Sequence, residues 1–426
     1  MNFTLAEARR NGDENFQFDI EILQAFLGLC IARGAYKRRD EPLKSLWSSR
    51  DGRPLFVGTM SRDTFLLILR YIRFDDKEKR RRGEHQDKFQ HIRQIWETTV
   101  ENFRKCYFRQ ENATIDEQLF PCRARCPFIQ YMPQKPAKFG IKFWLMCDAG
   151  NFYVLNAAPY IGREGSRERN LAQHVVEKLS APFQGSGINI TVDNFFTSYQ
   201  LARSMREKGF SIVGTLRANR REIPPSVMNE CKEAELYNTS FLYSDEATLA
   251  VYKAKRNKCV ALLSSKHRAG VVGNVATNPK LKPEICLFYN QTKGGVDSTD
   301  QMVRYYSSKV QTRRWPLACF FNLLDMICLN AFVISKSLGI FSGPRREFLI
   351  QLAEVLCKPH MLLRQPKQPR IKEIISGYHP EELQAHESRR TTCRSCHKNK
   401  TKSVCVCCKQ FTCGSCSTNV CKTCAM

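Results

Sequence analysis

The sequence predicts an α/β protein: a mixed sheet carrying an insertion, set between two helical regions and followed by a small cysteine-rich zinc module. Three observations predict it. Apolar residues recur at helical spacing over roughly the first hundred positions, then change near Asn112 to short apolar runs broken by turn residues. Helix-sized apolar stretches return after Pro316. Nine of the 20 cysteines crowd between Cys393 and Cys424, where the chain is otherwise polar and basic.

Taken in order, Met1–Asn15 is polar and charged and lacks the apolar stretch of an export signal. Ile20–Ala32 is apolar but too short to span a bilayer, so it reads as a core helix. Ser61 can cap a helix whose apolar positions are Phe65, Ile68, Leu69 and Ile72. The charged stretch Asp75–Asp87 contains Lys79-Arg80-Arg81-Arg82, which reads equally as a nuclear-import signal, a phosphate contact or a solvated loop.

Ala113–Ile115 reads as a short strand ending at Asp116. Ile141–Cys147 and Phe152–Ala158, joined by Asp148-Ala149-Gly150-Asn151, read as a hairpin. A helix over Asn170–Leu179, a strand over Ile188–Val192, a helix over Ser198–Lys208 and a strand over Ser211–Leu216 follow. An insertion at about 217–282 holds short strands near Thr248–Tyr252 and Val260–Leu263. Glu284–Tyr289 reads as the next strand, and Gly294-Gly295-Val296-Asp297 opens a helix. Leu317–Ile334 is long enough to span a membrane, but Asn322, Asp325 and Asn330 interrupt it and Pro316 suits the first turn of a soluble helix. The resulting divisions are 1–111 (helical), 112–306 (α/β), 307–375 (helical), a linker at 376–390 and a cysteine-rich module at 391–426.

Lysine and arginine number 67 against 41 acids, a formal charge of +26. Charge of that size attracts polyanions, because basic side chains that neutralise phosphates release condensed counterions. The plain alternative is a solvated basic surface. Among the acids, Asp116 and Asp193 fall where strands should end, and Asp297, with Asp300 one turn on, opens a helix. Such carboxylates can converge on one sheet edge, where hard oxygens of like charge call for Mg²⁺. Two ions roughly 4 Å apart would suit in-line phosphoryl transfer. Taken singly, the same aspartates read as a helix cap or as turn residues.

Thr114-Ile115-Asp116-Glu117-Gln118-Leu119, Thr191-Val192-Asp193-Asn194-Phe195-Phe196-Thr197-Ser198 and Asn290-Gln291-Thr292-Lys293-Gly294-Gly295-Val296-Asp297 resemble the three aspartate motifs of piggyBac transposases. Arg125-Cys126-Pro127-Phe128, Lys138-Phe139-Gly140-Ile141-Lys142 and Arg314-Trp315-Pro316 extend the likeness, which runs in order from about Phe18 to the C-terminus. The resemblance implies an RNase H-like catalytic domain with Asp116, Asp193 and Asp297 as its triad, holding two Mg²⁺ or Mn²⁺ ions, and Asp300 as an accessory acid. It also implies a nuclear, homodimeric enzyme that cuts double-stranded DNA at TTAA, forms hairpinned transposon ends and joins them to a new TTAA. The helical regions on either side of the α/β part would form one dimerisation and DNA-binding domain. Arg217, Arg220 and Arg221 match a basic segment, and Arg313, Arg314 and Trp315 a DNA-distorting one. Trp315 reads otherwise as a helix-start aromatic of the core, and Asn194 either shapes the site or serves as a structural amide.

In the tail, Cys393/Cys396, Cys405/Cys408, Cys413/Cys416 and Cys421/Cys424 form four CxxC pairs, enough for two tetrahedral Zn²⁺ ions. A cross-brace would put pairs one and three on one zinc, pairs two and four on the other, with Cys407 and His397 as spare ligands. Family members often carry a histidine where Cys416 stands. From Ser388 onward there are eight Lys/Arg and no acids, so the module stays basic even with eight thiolates and two zincs, which suits transposon-end DNA better than a RING-like protein contact. Three functions are therefore open: an active transposase, a domesticated DNA-binding relative that no longer moves DNA, and a zinc-dependent chromatin adaptor.

Overall fold

The computed structural model describes residues 1–37, 41–48, 50–81, 87–162, 170–274, 277–364, 368–378, 391–401, 403 and 412–416. Helices α1 (Asn2–Arg10), α2 (Ile20–Ala35), α3 (Leu43–Leu46), α4 (Pro54–Thr59), α5 (Arg62–Tyr71), α6 (Lys77–Arg81) and α7 (Arg93–Lys105) come first. The expected Ser61 cap is in place, its Oγ accepting from the Thr64 amide at 3.0 Å, and Asp19 Oδ1 caps α2 in the same way, accepting from the Ile22 amide at 2.7 Å.

The sheet opens with β1 (Asn112–Pro121), β2 (Ile129–Tyr131), β3 (Phe139–Asp148) and β4 (Val154–Pro159). Then come α8 (Leu171–Ser180), β5 (Asn189–Val192), α9 (Tyr199–Glu207) and β6 (Ser211–Leu216). The expected order of strand, hairpin, helix, strand, helix, strand is present, with β2 added. Strands β1, β5 and β6 are mutually parallel and β3 runs antiparallel to β1. The segment expected as an insertion supplies α10 (Pro225–Glu233), β7 (Thr239–Tyr243), β8 (Thr248–Lys255) and β9 (Lys258–Ser264). Its strands continue the same sheet outward from β6, in the order β2-β3-β1-β5-β6-β9-β8-β7 with β4 also on β3.

Two local expectations are corrected. Asp116 does not end its strand. The parallel pairing with β5 stops at Ile115↔Val192, but the antiparallel pairing with β3 carries β1 on to Pro121. Glu284–Tyr289 is not a strand but the start of helix α11 (Glu284–Thr292), with Pro283 as the residue before its first turn. A short apolar run has no periodicity that separates the two states.

Helix α12 (Gly295–Tyr305) leads to α13 (Trp315–Ser337), α14 (Arg345–Leu363) and α15 (Pro369–Tyr378); β10 (Thr391–Thr392) and β11 (Lys400–Thr401) pair in the tail. Helix α13 is long and apolar enough to cross a membrane, yet most of it is buried within the protein. The three polar residues that interrupt it are each partnered. Asn322 Nδ2 donates to Gln118 Oε1 at 2.7 Å, Asp325 accepts from Ser307 Oγ and the Ser308 amide at 2.6 and 2.7 Å, and Asn330 holds both the N–H and the C=O of Val154.

The two ends of the chain interlock. α14 packs along α2 and α15 against α4. Arg364 donates to the Val57 and Gly58 carbonyls, Arg346 to Ala35, and Arg33 to Lys309. Asn330→Ala would strand both Val154 backbone groups in the interior, so it should lower unfolding free energy by about 3 kcal/mol in urea titrations.

Candidate functional site

Parallel strands deliver their C-terminal ends to one edge of a sheet, the usual place for a ligand in an α/β fold. Here β1, β5 and β6 do so. One step beyond the last paired residues, Ile115 and Val192, stand Asp116 and Asp193, side by side on neighbouring strands. The Asp193 turn is fixed by its own atoms: Oδ1 accepts from the Phe195 amide at 2.9 Å, and the carbonyl accepts from Thr197 Oγ1 at 2.7 Å. Gly214 on β6 makes room for that turn, since a Cβ there would lie 2.2 Å from Thr197 Oγ1 and 2.8 Å from the Val192 carbonyl.

Asp297 and Asp300 come from α12, and a small set of hydroxyls seats that helix. Thr114 Oγ1 donates to the Thr292 carbonyl at 2.5 Å, and Thr191 Oγ1 lies 2.7 Å from Thr292 Oγ1, so the α11–α12 joint is tied to β1 and β5 together. Gly295 lets the joint close: a Cβ there would meet Thr114 Oγ1 at 2.4 Å. Asp300 is held by Gln118 Nε2 at 3.0 Å and by Arg304 at 2.8 Å, and Gln118 is held in turn by Asn322.

The carboxylates press on one another. Burial, then Glu117 and Asp193, push Asp116 up to about 8, against one opposing bond from the Glu117 amide at 2.7 Å. Burial raises Asp193 as well; the Phe195 and Phe196 amides and Arg217 work against it, and Glu117 with it. Burial also raises Asp300, opposed first by Arg304. Burial raises the Tyr289 phenol, a bond with Thr215 opposes it, and Asp193, Asp116 and Asp297 raise it further through space. They do not close into a tight trio. Among the described residues, the group of three or more Asp, Glu, His or Cys ligand atoms lying within 4.8 Å of one another is a cysteine cluster, not this one. Asp297 is exposed and lies 4.0 Å from Lys135. The donor set suits a hard divalent ion: carboxylate oxygens, partly buried and unable all to ionise unless positive charge is supplied.

Three participants carried no distinct signal in the sequence. Glu117 adds a fifth negative group to Asp116, Asp193, Asp297 and Asp300, Lys135 bridges Glu117 and Asp297, and Tyr289 feels three of the acids through space. Of the basic candidates, Arg217 extends from the end of β6, and its Nε donates to Asn194 Oδ1 at 3.1 Å, so Asn194 joins the basic turn to the acidic edge. Arg220 and Arg221 occupy the turn that follows, Arg221 exposed and Arg220 half-buried. Arg313 is exposed. Arg314 is not available, because its guanidinium caps the Leu69, Arg70 and Ile72 carbonyls. Trp315 is a core residue, in ring contact with Phe89, His91 and Phe128, so the helix-start reading holds for it in this structure.

In the tail, the sulfurs of Cys393, Cys396, Cys413 and Cys416 lie within 4.8 Å of one another, the first and third pairs of the expected cross-brace. The Cys413 amide donates to Cys393 Sγ at 3.3 Å. Burial raises the Cys393 thiol, but the Cys413, Cys396 and Ser395 amides together hold it down at about 6. Four converging sulfurs, one already favoured as thiolate, fit Zn²⁺. His397 is outside this set and takes a positive φ of 53° in the turn after Cys396. Cys405, Cys407, Cys408, Cys421 and Cys424 lie outside the described residues.

A family model described as Transposase IS4 matches residues 3–332. The chain belongs to the piggyBac-type transposase family. A cryo-EM structure of the piggyBac transposase synaptic complex with hairpin DNA superposes with a TM-score of 0.81 at 31% identity, covering 99% of this chain and 93% of that one. Human piggyBac transposable element-derived protein 3 is 24% identical over 405 residues, covering 89% of this chain. The human chimeric ERCC6-PGBD3 protein aligns with the same identity and coverage of this chain. The chain spans 66% of the first human protein and 37% of the second.

The candidate site and the cysteine cluster carry two testable consequences. As pH rises from about 4 to about 8, the unfolded chain loses the Asp116 proton while the folded chain keeps it, so the metal-free fold weakens across that window. In chelator, Asp116→Asn should therefore melt above wild type at pH 8, with the gap closing towards pH 4. Stripping zinc should make the cysteine module protease-sensitive while the cooperative unfolding of the sheet, followed by circular dichroism, stays in place.

Proposed function

We propose that this chain is a DNA transposase that cuts and joins transposon ends at TTAA sites by divalent-metal-dependent phosphoryl transfer through hairpin intermediates. The observation that carries the reading is the side-by-side placement of Asp116 and Asp193 at the ends of parallel strands, with Asp297 and Asp300 brought to the same edge by α12. In this reading Asp116, Asp193 and Asp297 are the ligating acids of an RNase H-like centre. Divalent ions held there would supply Lewis-acid stabilisation of the attacking and leaving oxygens.

The chain's own residues do the rest. Asp193 is aimed by its turn, and the threonine clasp brings α12, which carries Asp297, to the same edge. Asp300, fixed by Gln118 and Arg304, holds α12 at its distance from β1. Arg217, Arg220 and Arg221, at the exit of β6, are placed to meet phosphates and fix the register of the strand being cut. Each step is then the same displacement with a different nucleophile: water frees a 3′-hydroxyl, that hydroxyl attacks the opposite strand to give a hairpin, water reopens it, and the freed end attacks target DNA. The net charge of +26 and the basic zinc module support terminal-repeat binding. A homodimer working in the nucleus completes the proposal.

A domesticated, DNA-gripping relative is the second reading, favoured by the human proteins in the comparison, one of which is named as element-derived. Purified protein with Mg²⁺ and DNA carrying candidate ends beside TTAA separates the two. Hairpinned ends that disappear in Asp193→Ala establish the enzyme; retained binding without cleavage in Mg²⁺ or Mn²⁺ establishes domestication.

A further inference from the structure

Lys135 lies in the connection between β2 and β3, in a turn closed by the Met132 amide on the Lys138 carbonyl at 2.8 Å and the Lys135 amide on the Met132 carbonyl at 3.1 Å. That turn sends its side chain back across β1 to the acidic edge. Its Nζ is 3.4 Å from the Glu117 carbonyl, 3.8 Å from Glu117 Oε1 and 4.0 Å from Asp297 Oδ1. It thus links β1 to α12, the two elements whose acids repel each other. Other nearby cations also act on the cluster, Arg217 on Asp193 and Lys142 on Glu117, Asp116 and Asp193, but each is anchored by a further contact. Arg304 is bound to Asp300 and to the Leu119 carbonyl, Arg217 to Asn194, and Lys142 stands over the Trp144 ring, 3.7 Å from its centroid.

The distances matter. An ammonium committed to a carboxylate sits at roughly 2.7–2.9 Å. Lys135 stands off from both acids, balancing their charge through space without a short bond to either. A divalent ion brings twice the charge and takes carboxylate oxygens directly, at about 2.0–2.1 Å for Mg²⁺. The ammonium is placed to be replaced.

We propose that Lys135 is the resident counter-ion of this carboxylate cluster, holding Glu117 and Asp297 together in the metal-free protein and competing with the divalent cation for the same place. This rests on the metal-site reading above. The role is a positioning one. Lys135 keeps β1 and α12 from springing apart when the site is empty, and it sets a threshold of metal concentration for loading in the absence of DNA.

The test is Mn²⁺ binding by the zinc-loaded full chain without DNA, followed by electron paramagnetic resonance of free Mn²⁺. Lys135→Gln should tighten Mn²⁺ binding on the order of tenfold, because an opposing cation within a few ångströms is gone. Lys135→Arg should return the affinity to near the wild-type value. In chelator, Lys135→Gln should also melt below wild type, its acids left without a counter-charge. Lys135→Met, which keeps the aliphatic stem, repeats both measurements should the glutamine variant fold poorly. Asp193→Asn is the control for the site itself. If it abolishes Mn²⁺ binding while the Lys135 variants bind as wild type does, the counter-ion proposal is overturned and the metal site stands. If Asp193→Asn leaves Mn²⁺ binding intact, the metal-site reading fails, and the Lys135 proposal falls with it.

Discussion

Two carboxylates set side by side at the ends of neighbouring strands repel each other, and much of the surrounding architecture consists of what holds them there. Hydrogen-bonded register between β1 and β5 fixes their spacing up to the last paired residue, so neither can retreat along its strand. The Asp193 turn is closed by its own amides and by Thr197. The second source of acids, α12, is fastened by Thr114, Thr191 and Thr292, whose hydroxyls do the work that a cation does elsewhere: they draw together elements whose charges would separate them. Rigidity of this kind is what a site needs if its ligands are to be in position before anything binds.

The polar residues that break the apolar pattern of α13 belong to the same scheme. Asn322 reaches Gln118 on the central strand, which in turn steadies Asp300. Asp325 secures the segment entering the helix, and Asn330 anchors the edge strand β4. A purely apolar helix would bury as much surface and pack as tightly. It would not fix the rotation of the helix against the sheet, because apolar contact is non-directional whereas each of these bonds has one geometry.

Much of the fold was legible because strands and helices leave different periods, and the α/β succession from β1 to β6 came straight from them. Asp193 was visible at the end of a short apolar strand. The end of the strand carrying Asp116 is five residues further on than the sequence suggests, since a sequence shows where apolar residues stop and not that β3 continues to pair beyond them. Glu284–Tyr289 misled for the reason that short apolar runs always do: helix and strand differ in such a run only by the neighbours available. The segment after β6 reads as irregular, yet β7 to β9 extend the main sheet. Lys135 and Tyr289 could not be singled out in advance, being ordinary residue types whose importance comes from what the tertiary fold puts beside them. Trp315 shows the opposite hazard: flanking arginines suggested a surface, while Phe89, from over two hundred residues earlier, gives its ring a place inside.

The clasp between the chain's two ends has a consequence for how the molecule is made. Helix α2 buries its apolar face on α14, and the carbonyls closing α5 are capped by Arg314. During vectorial synthesis on the ribosome, α2 must wait for more than three hundred residues, and α5 for more than two hundred, before their partners emerge. Until then they expose greasy faces that chaperones would recognise. The nascent chain therefore cannot complete its scaffold until nearly all of it has been translated.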